Sequence, residues 1–270
     1  MRICVFGDVH GNGAALSAVL AALPAEAPDL CACTGDVVFG WGQPEECVDG
    51  VRALGCLWVT GNADQVVLGN PDFPPPAPAA ARAPWDRERL GPARLRVLAA
   101  LPTGAALQLP RAGSLWLAHG CPPARIEPGV RPAGLREWSD NVADDRLVAG
   151  WFGSDPPALF LCGHTHVPTA RRIGATLVVN PGSVGYGIHH AAPARYQTGN
   201  AVARYAVLDW APGPGWTARM RQVPYATAAA LAGLEGLPWA DGAEIDRRRA
   251  FLAQAPAAAG PEPVGVVEAV

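Results

Sequence analysis

Residues 2–12 read Arg2-Ile3-Cys4-Val5-Phe6-Gly7-Asp8-Val9-His10-Gly11-Asn12, a short apolar run that ends abruptly in Gly-Asp-x-His. This stretch decides the fold, because the same punctuation returns along the chain. After it, Leu16, Val19, Leu20 and Leu23 fall at i, i+3, i+4 and i+7, the spacing of an amphipathic helix over 13–23. A second apolar run, Leu30–Thr34, ends in Gly35-Asp36. Pro44-Glu45-Glu46 then opens a helix, since proline suits a first turn and acids suit its positive dipole end. Cys47, Val51 and Leu54 form its buried stripe. A third run, Leu57–Thr60, ends in Gly61-Asn62, and residues 60–66, Thr-Gly-Asn-Ala-Asp-Gln-Val, read as the turn after it. Strands alternating with helices predict an α/β fold with a largely parallel sheet.

Farther along, Asn70–Pro84 carries six prolines and reads as an extended loop or lid. Helical character returns over 85–100. Strands at Leu115–Ala118 and Leu159–Cys162 end in His119-Gly120 and Gly163-His164-Thr165-His166. Residues 121–157 between them are polar and proline-rich, with a helix expected around 133–149. Hairpins follow at 170–179 and 204–223, then helices at about 225–234 and 242–254. The expected organisation is one domain over 1–254, with cap or lid segments at 70–101 and 121–157, and a flexible tail at 255–270.

The 270 residues, half of them apolar, suffice for one domain with a sizeable core. A net charge of −3 speaks against extended nucleic acid as a partner. No 18-residue apolar run and no signal-peptide pattern appear, so the expectation is a cytoplasmic protein away from membranes. Seven cysteines without a CxxC pair, several inside apolar runs, read as buried free thiols in a reducing compartment. The chain has no lysine, which excludes a P-loop lysine, a pyridoxal Schiff base and the strand lysine of protein kinases.

The strand ends carry the chemistry. Asp8, His10, Asp36, Asn62, His119, His164 and His166 all follow apolar runs, and they include four of the six histidines. Loops at the carboxyl ends of strands gather on one edge of an α/β sheet, where ligands bind. Asp, His and Asn are oxygen and nitrogen ligands for divalent metals, and the adjacent glycines let the backbone turn sharply.

In order and spacing, GDVHGN at 7–12, GDVVFGWG at 35–42, GNAD at 61–64, HG at 119–120, GHTH at 163–166 and NPGSVG at 180–185 resemble the calcineurin-like metallophosphoesterase superfamily, in its small bacterial phosphodiesterase-like branch. The resemblance covers about residues 1–210. It implies a four-layer α/β/β/α sandwich with two mixed β-sheets and a small cap. It also implies two divalent metal ions, Mn²⁺, Fe or Zn²⁺. Asp8, His10, Asp36 and His166 would hold the first; Asp36, Asn62, His119 and His164 would hold the second, with Asp36 as the bridge. Asp36, Asn62 and His119 are then also the catalytic residues. The implied reaction is in-line attack on phosphorus by a hydroxide shared between the cations, with no covalent phosphoenzyme.

One position departs from the pattern. Many relatives read GNHD where this chain has Gly61-Asn62-Ala63-Asp64, and that histidine is taken to protonate the leaving oxygen. General acid catalysis is worth roughly 10²–10⁴ in rate. Three readings follow for Ala63: an ester whose leaving group has a low pKa, a proton from another group, or a site that binds without much turnover. His189 and His190, just after the NPGS loop, are candidates for the replacement acid or for substrate binding; the alternative is two exposed loop histidines. Asp64, with no histidine to support, is expected to orient another ligand. Asn12 is either a phosphate contact or a helix N-cap. Arg125, Arg131 and Arg136 suit a phosphate clamp or a solvated face, and Trp41, Trp85 and Trp138 suit base stacking or packing.

The expected activity is hydrolysis of a small phosphate ester, a nucleotide being one candidate, with a diester favoured over a monoester. A homo-oligomer is compatible with the apolar tail. A serine/threonine phosphatase fits less well, since Gly35–Gly40 lacks the GDxVDRG pattern. A non-catalytic scaffold is the competing class, and a nuclease acting on long chains is disfavoured by the acidic charge.

Overall fold

The computed structural model describes residues 1–75, 80–120, 149–150, 152–185 and 202–253. Two five-stranded mixed sheets face each other. The first contains β1 (Arg2–Phe6), β2 (Leu30–Cys33), β3 (Leu57–Trp58), β9 (Val202–Ala211) and β10 (Gly215–Pro224), in the order β10-β9-β1-β2-β3. The second contains β4 (Gly104–Leu109), β5 (Gly113–Ala118), β6 (Leu159–Leu161), β7 (Thr169–Ile173) and β8 (Thr176–Asn180), in the order β4-β5-β6-β8-β7. β1, β2 and β3 run parallel, with Phe6 opposite Cys33 and Cys33 opposite Trp58. β9 then pairs antiparallel with β1, so this sheet is mixed, as the resemblance implies, where strand–helix alternation alone suggests a largely parallel one. The C-terminal hairpin, remote in sequence, returns to the open side of β1.

Period-two alternation assigns each strand residue to a layer. Ile3 and Val5 point between the sheets, where they meet Leu117, Leu159, Leu161 and Val179. Cys4 and Phe6 point outward onto α1 (Gly13–Glu26) and α2 (Pro44–Leu54), among Leu16, Val19, Leu23 and Val51. Phe160 and Val178 project from the far face of the second sheet toward Phe152. Each fully buried large side chain contributes about 1.5–3 kcal/mol relative to exposure.

The helices begin and end where their residues require. Asn12 Oδ1 accepts the N–H of Ala15 at 3.0 Å and so caps α1. Pro44 opens α2 with Glu45 and Glu46 in its first turn, and Gly55 (φ 64°) closes it in the left-handed conformation. α4 (Arg82–Ala99) kinks at Gly91-Pro92, where φ 63° and ψ 172° leave the helical region. It also takes Pro84 from the proline-rich lid expected over 70–84 into its first turns.

Two elements differ from the sequence expectation. Residues 62–68 form a helix, α3 (Asn62–Leu68), rather than a turn. Seven residues carry too little periodicity to announce a helix, and this one starts through the Asp64 side chain, described below. β4 likewise has no counterpart in the sequence expectation, because Gly104-Ala105-Ala106 offers little β-branched or aromatic signal. α5 (Thr227–Ala232) and α6 (Gly242–Ala253) pack over Trp41, with Leu234 and Phe251 in the contact. The helix expected at 133–149 falls almost wholly outside the described residues, as do most of the 121–157 cap, the 255–270 tail, His189, His190, Arg125, Arg131, Arg136 and Trp138. Among the described residues no helix is long and apolar enough to cross a membrane.

Candidate metal centre

The loops after β1, β2, β3, β5 and β6 converge at one end of the sandwich. They turn with uncommon backbone geometry: Asp8 (φ 51°), His10 (51°), Asp36 (53°), His164 (69°) and His166 (58°) all lie in the left-handed region. For residues with a Cβ, such conformations cost on the order of 1–3 kcal/mol each and persist where the surroundings enforce them. Here the enforcement is visible. Asp8 N donates to Gly35 O at 2.9 Å, and His10 N to Asp36 O at 2.9 Å. Ser183 Oγ and Gly185 N both donate to Asp8 O, at 2.7 and 3.1 Å. Asn180 Nδ2 donates to Gly163 O (2.7 Å) and Thr165 Oγ1 (3.0 Å), tying down the histidine loop after β6. Asn180 and Ser183 act on these loops through backbone atoms. Their signal in the sequence was the same strand-end punctuation, Asn-Pro-Gly-Ser after an apolar run.

Two groups of ligand-type atoms result, Asp8/His10/His166 and Asp36/His119/His164, each with its atoms within 4.8 Å of one another. Asn62 joins the second: its Oδ1 lies 3.0 Å from His119 Nε2 and 2.9 Å from His164 Nδ1. Asp36 Oδ2 faces both groups, 3.2 Å from His119 Nε2 and 3.7 Å from His10 Nε2. The other oxygen, Oδ1, accepts the N–H of Ala63 at 2.7 Å. All seven residues named from the strand ends therefore come together.

The outer imidazole nitrogens set the tautomers. His119 Nδ1 donates to Thr34 O at 2.8 Å and His10 Nδ1 to Phe39 O at 3.1 Å, which turns each Nε2 inward, where it offers a lone pair when it carries no proton. His10 Nε2 and His166 Nε2 stand 3.1 Å apart. With His10 Nε2 a lone pair, that approach needs a shared proton or a cation. Inward-facing lone pairs, two buried carboxylates and an amide oxygen are the donors a divalent metal pair takes, so the residues fit such ions.

Charge follows position. Burial lowers the pKa of His10 and of His164 to about 4, which keeps both neutral. For His119 burial acts the same way but is outweighed by the charge and hydrogen bond of Asp36, which raise it to about 9. His166 is raised likewise, burial being overcome by Asp8. Burial would raise Asp8 and Asp36, yet His166 and His119 respectively pull them below the usual range.

Other sequence candidates take different places. Asn12 is wholly buried; besides capping α1, its Nδ2 donates to Gly185 O at 3.2 Å. Its side chain is thus the N-cap, and a phosphate contact would have to displace these bonds. Trp41 is fully buried with Nε1 donating to Gly185 O at 2.9 Å, so its ring is packing and not a stacking surface. Trp85 packs edge-on against Trp239, centroids 6.1 Å apart. Ala63 is buried at 3% exposure. The six described cysteines are free, and burial raises Cys33 and Cys47 well above the ordinary thiol value, so they are inert.

Comparison with known proteins bears on the family and the fold. The sequence profile of the calcineurin-like phosphoesterase superfamily domain matches residues 1–201. The crystal structure of a metallophosphoesterase from Sphaerobacter thermophilus superposes with TM-score 0.66 at 27% identity, covering 93% of this chain and 100% of that one. A hypothetical protein from Pyrococcus horikoshii shares the fold with TM-score 0.63 at 16% identity, over 94% of both chains. An uncharacterised protein of Methanocaldococcus jannaschii is 43% identical over 67 residues, which is 25% of this chain and 28% of that protein.

Proposed function

The chain belongs to the calcineurin-like phosphoesterase superfamily, and from that premise we propose that it is a metal-dependent phosphodiesterase acting on a small phosphate ester, a short or cyclic nucleotide being one candidate. A single observation carries the reading: Asp36 Oδ2 stands within 3.2 Å of one histidine group and 3.7 Å of the other. One oxygen so placed suits a pair of cations, and the mixed His/Asp/Asn set suits Mn²⁺, Fe or Zn²⁺. Such ions, when bound, would supply Lewis acidity toward phosphoryl oxygens and would lower the pKa of bound water.

The chain's own residues hold that arrangement. Asp8 and Asp36 stay ionised, and Asn62 offers a neutral oxygen. His10 and His119 are fixed with Nε2 inward by Phe39 O and Thr34 O, and His119 ligates once its Nε2 proton has left. Ala63, next to Asn62, has no proton to give. We therefore assign the enzyme to esters whose leaving group is stable as an anion. The diester preference rests on the likeness to small bacterial members. We place the protein in the cytoplasm, in keeping with the six free thiols among the described residues. A non-catalytic scaffold is the second reading, and Ala63 is the observation that favours it.

Steady-state hydrolysis of bis-p-nitrophenyl phosphate and p-nitrophenyl phosphate tests this, using metal-stripped protein and then added Mn²⁺, Zn²⁺, Fe²⁺ or Mg²⁺. Metal-dependent turnover with the diester ahead supports the proposal. Folded protein that takes up two ions and turns over neither ester supports the scaffold.

A further inference from the structure

We infer that Asp64 is a positioning residue that sets the place of the oxygen shared by the two ligand groups. The inference rests on the metal-dependent reading above. Asp64 is wholly buried on α3, and both its oxygens face backbone N–H groups. Its Oδ2 accepts the N–H of Asp36 at 3.0 Å and of Gly61 at 2.9 Å. Its Oδ1 accepts from Val37 at 2.9 Å and Val38 at 3.2 Å. One carboxylate thus gathers three consecutive amides from the loop after β2 and one from the loop after β3.

The tie is reciprocal. Asp36 Oδ1 accepts the N–H of Ala63 at 2.7 Å, so each aspartate holds the backbone that carries the other. The three amides fix the Asp36 main chain in its left-handed conformation (φ 53°), and the Ala63 amide fixes the rotation of its carboxylate. Oδ2 is then the oxygen left to face His119 and His10. The same bond at Gly61 starts α3 and places Asn62. The two loops meet with no room between them: a Cβ on Gly61 would run into Asp36 Oδ1, and one on Gly35 would fall 2.6 Å from Gly61 N. A group that orients a metal ligand in this way typically contributes 10–100-fold to metal affinity by mutation, a range that is roughly general.

The test is Mn²⁺ binding to metal-stripped protein, by calorimetric titration with metal content after dialysis, for the wild type, Asp64→Asn and Asp64→Glu. Leu161→Ala, in the core between the sheets, is the control for stability loss alone. Asp64→Asn turns an amide NH₂ toward backbone donors. We expect two ions per wild-type chain and affinity reduced roughly 10–100-fold in Asp64→Asn. Asp64→Glu, which keeps the carboxyl group but moves it by one methylene, should fall between and decides the matter if Asp64→Asn does not fold. Leu161→Ala should bind as the wild type does while melting lower. Wild-type affinity and stoichiometry in a folded Asp64 variant overturns the positioning role. A wild type that takes up no ion overturns the reading beneath it. Two ions bound without turnover sinks the catalytic proposal and leaves the role of Asp64 standing.

Discussion

Asp8, His10 and His166 form one ligand group, and Asp36, His119 and His164 the other, so each brings one carboxylate and two imidazoles. Each also pairs one histidine of raised pKa (His166, His119) with one held near 4 by burial (His10, His164). The surroundings differ. His10 and His166 keep 13% and 10% of their side chains open to solvent, whereas His119 keeps none. The second group has Asn62 as a further oxygen and the Asp64 clasp behind its carboxylate; Asn62 and His164 there are partly open, while Asp36 and His119 are buried. Asp8 is held from the other side, by His164 N at 3.1 Å and by Ser183. Equal donor sets thus sit in unequal environments. Water competes less for ligands that are buried and pre-oriented, so the second group should hold its ion more tightly.

Asp36→Asn should produce the largest effect, because it removes the oxygen that both groups face. We expect turnover to fall by roughly 10³-fold or more and the ion content of dialysed protein to drop at both groups. Loss confined to one ion would show that the groups do not share Asp36. His119→Ala and His166→Ala set the two groups against each other. His119→Ala should weaken the tighter ion on the order of 10²-fold, while His166→Ala should affect only the weaker, exchangeable one. Equal losses, read as ion content after dialysis, would erase the asymmetry.

Proton competition gives a smaller and graded effect. In the metal-free protein His119 stays protonated until about pH 9 and must lose that proton to ligate. Metal affinity should therefore rise with pH between 6 and 8, by about tenfold per unit for each proton displaced. His10 and His164, near 4, are already neutral across that range and contribute no slope. Titrations in buffers of different ionisation enthalpy would count the protons; a release of none contradicts the assignment.

The smallest effect lies away from both groups. Glu244 on α6 bonds Arg82, Arg247 and Arg248 at 2.7–2.9 Å. Burial opposes its ionisation, but Arg247, Arg248 and Arg82 outweigh it and hold its pKa down at about 2, against the usual 4.5. A depressed pKa contributes stability that is complete above 4.5 and is lost as the pH falls toward 2. Glu244→Gln should melt a few degrees lower at pH 7, roughly 1–2 kcal/mol, with the difference closing in acid. Its ion content should match the wild type, which thermal melts beside metal analysis would check.

Much of this architecture was legible residue by residue. Ile3 and Val5 against Cys4 and Phe6 declare a strand buried on both faces. Pro44-Glu45-Glu46 marks the start of α2, and the hairpins near Gly174 and Pro212–Gly215 carry their own turn residues. These are local signals, written in periodicity and backbone preference. α3 is not announced by the sequence because seven residues carry too little periodicity, and Asp64, which caps it through Gly61 N, is itself held by the amides of Asp36, Val37 and Val38, some 26 to 28 positions away. The mixed character of the first sheet is implied by the family resemblance and is absent from the local alternation of strands and helices, since β9 pairs with β1 across about two hundred residues.

The sequence by itself determined which side chains are available for metal chemistry and that each stands at a strand end, because ligand type and strand punctuation are properties of short stretches. Only the tertiary structure decided which oxygen of Asp36 faces both groups, which imidazole nitrogens turn inward, and that Asn12 and Trp41 serve as scaffolding. Those choices depend on hydrogen bonds from backbone atoms remote in sequence: Ala63 N–H on Asp36, Thr34 and Phe39 carbonyls on the two histidines, and the Gly185 carbonyl on Asn12 and Trp41. No local pattern encodes such partners, since they exist only once the loops have met.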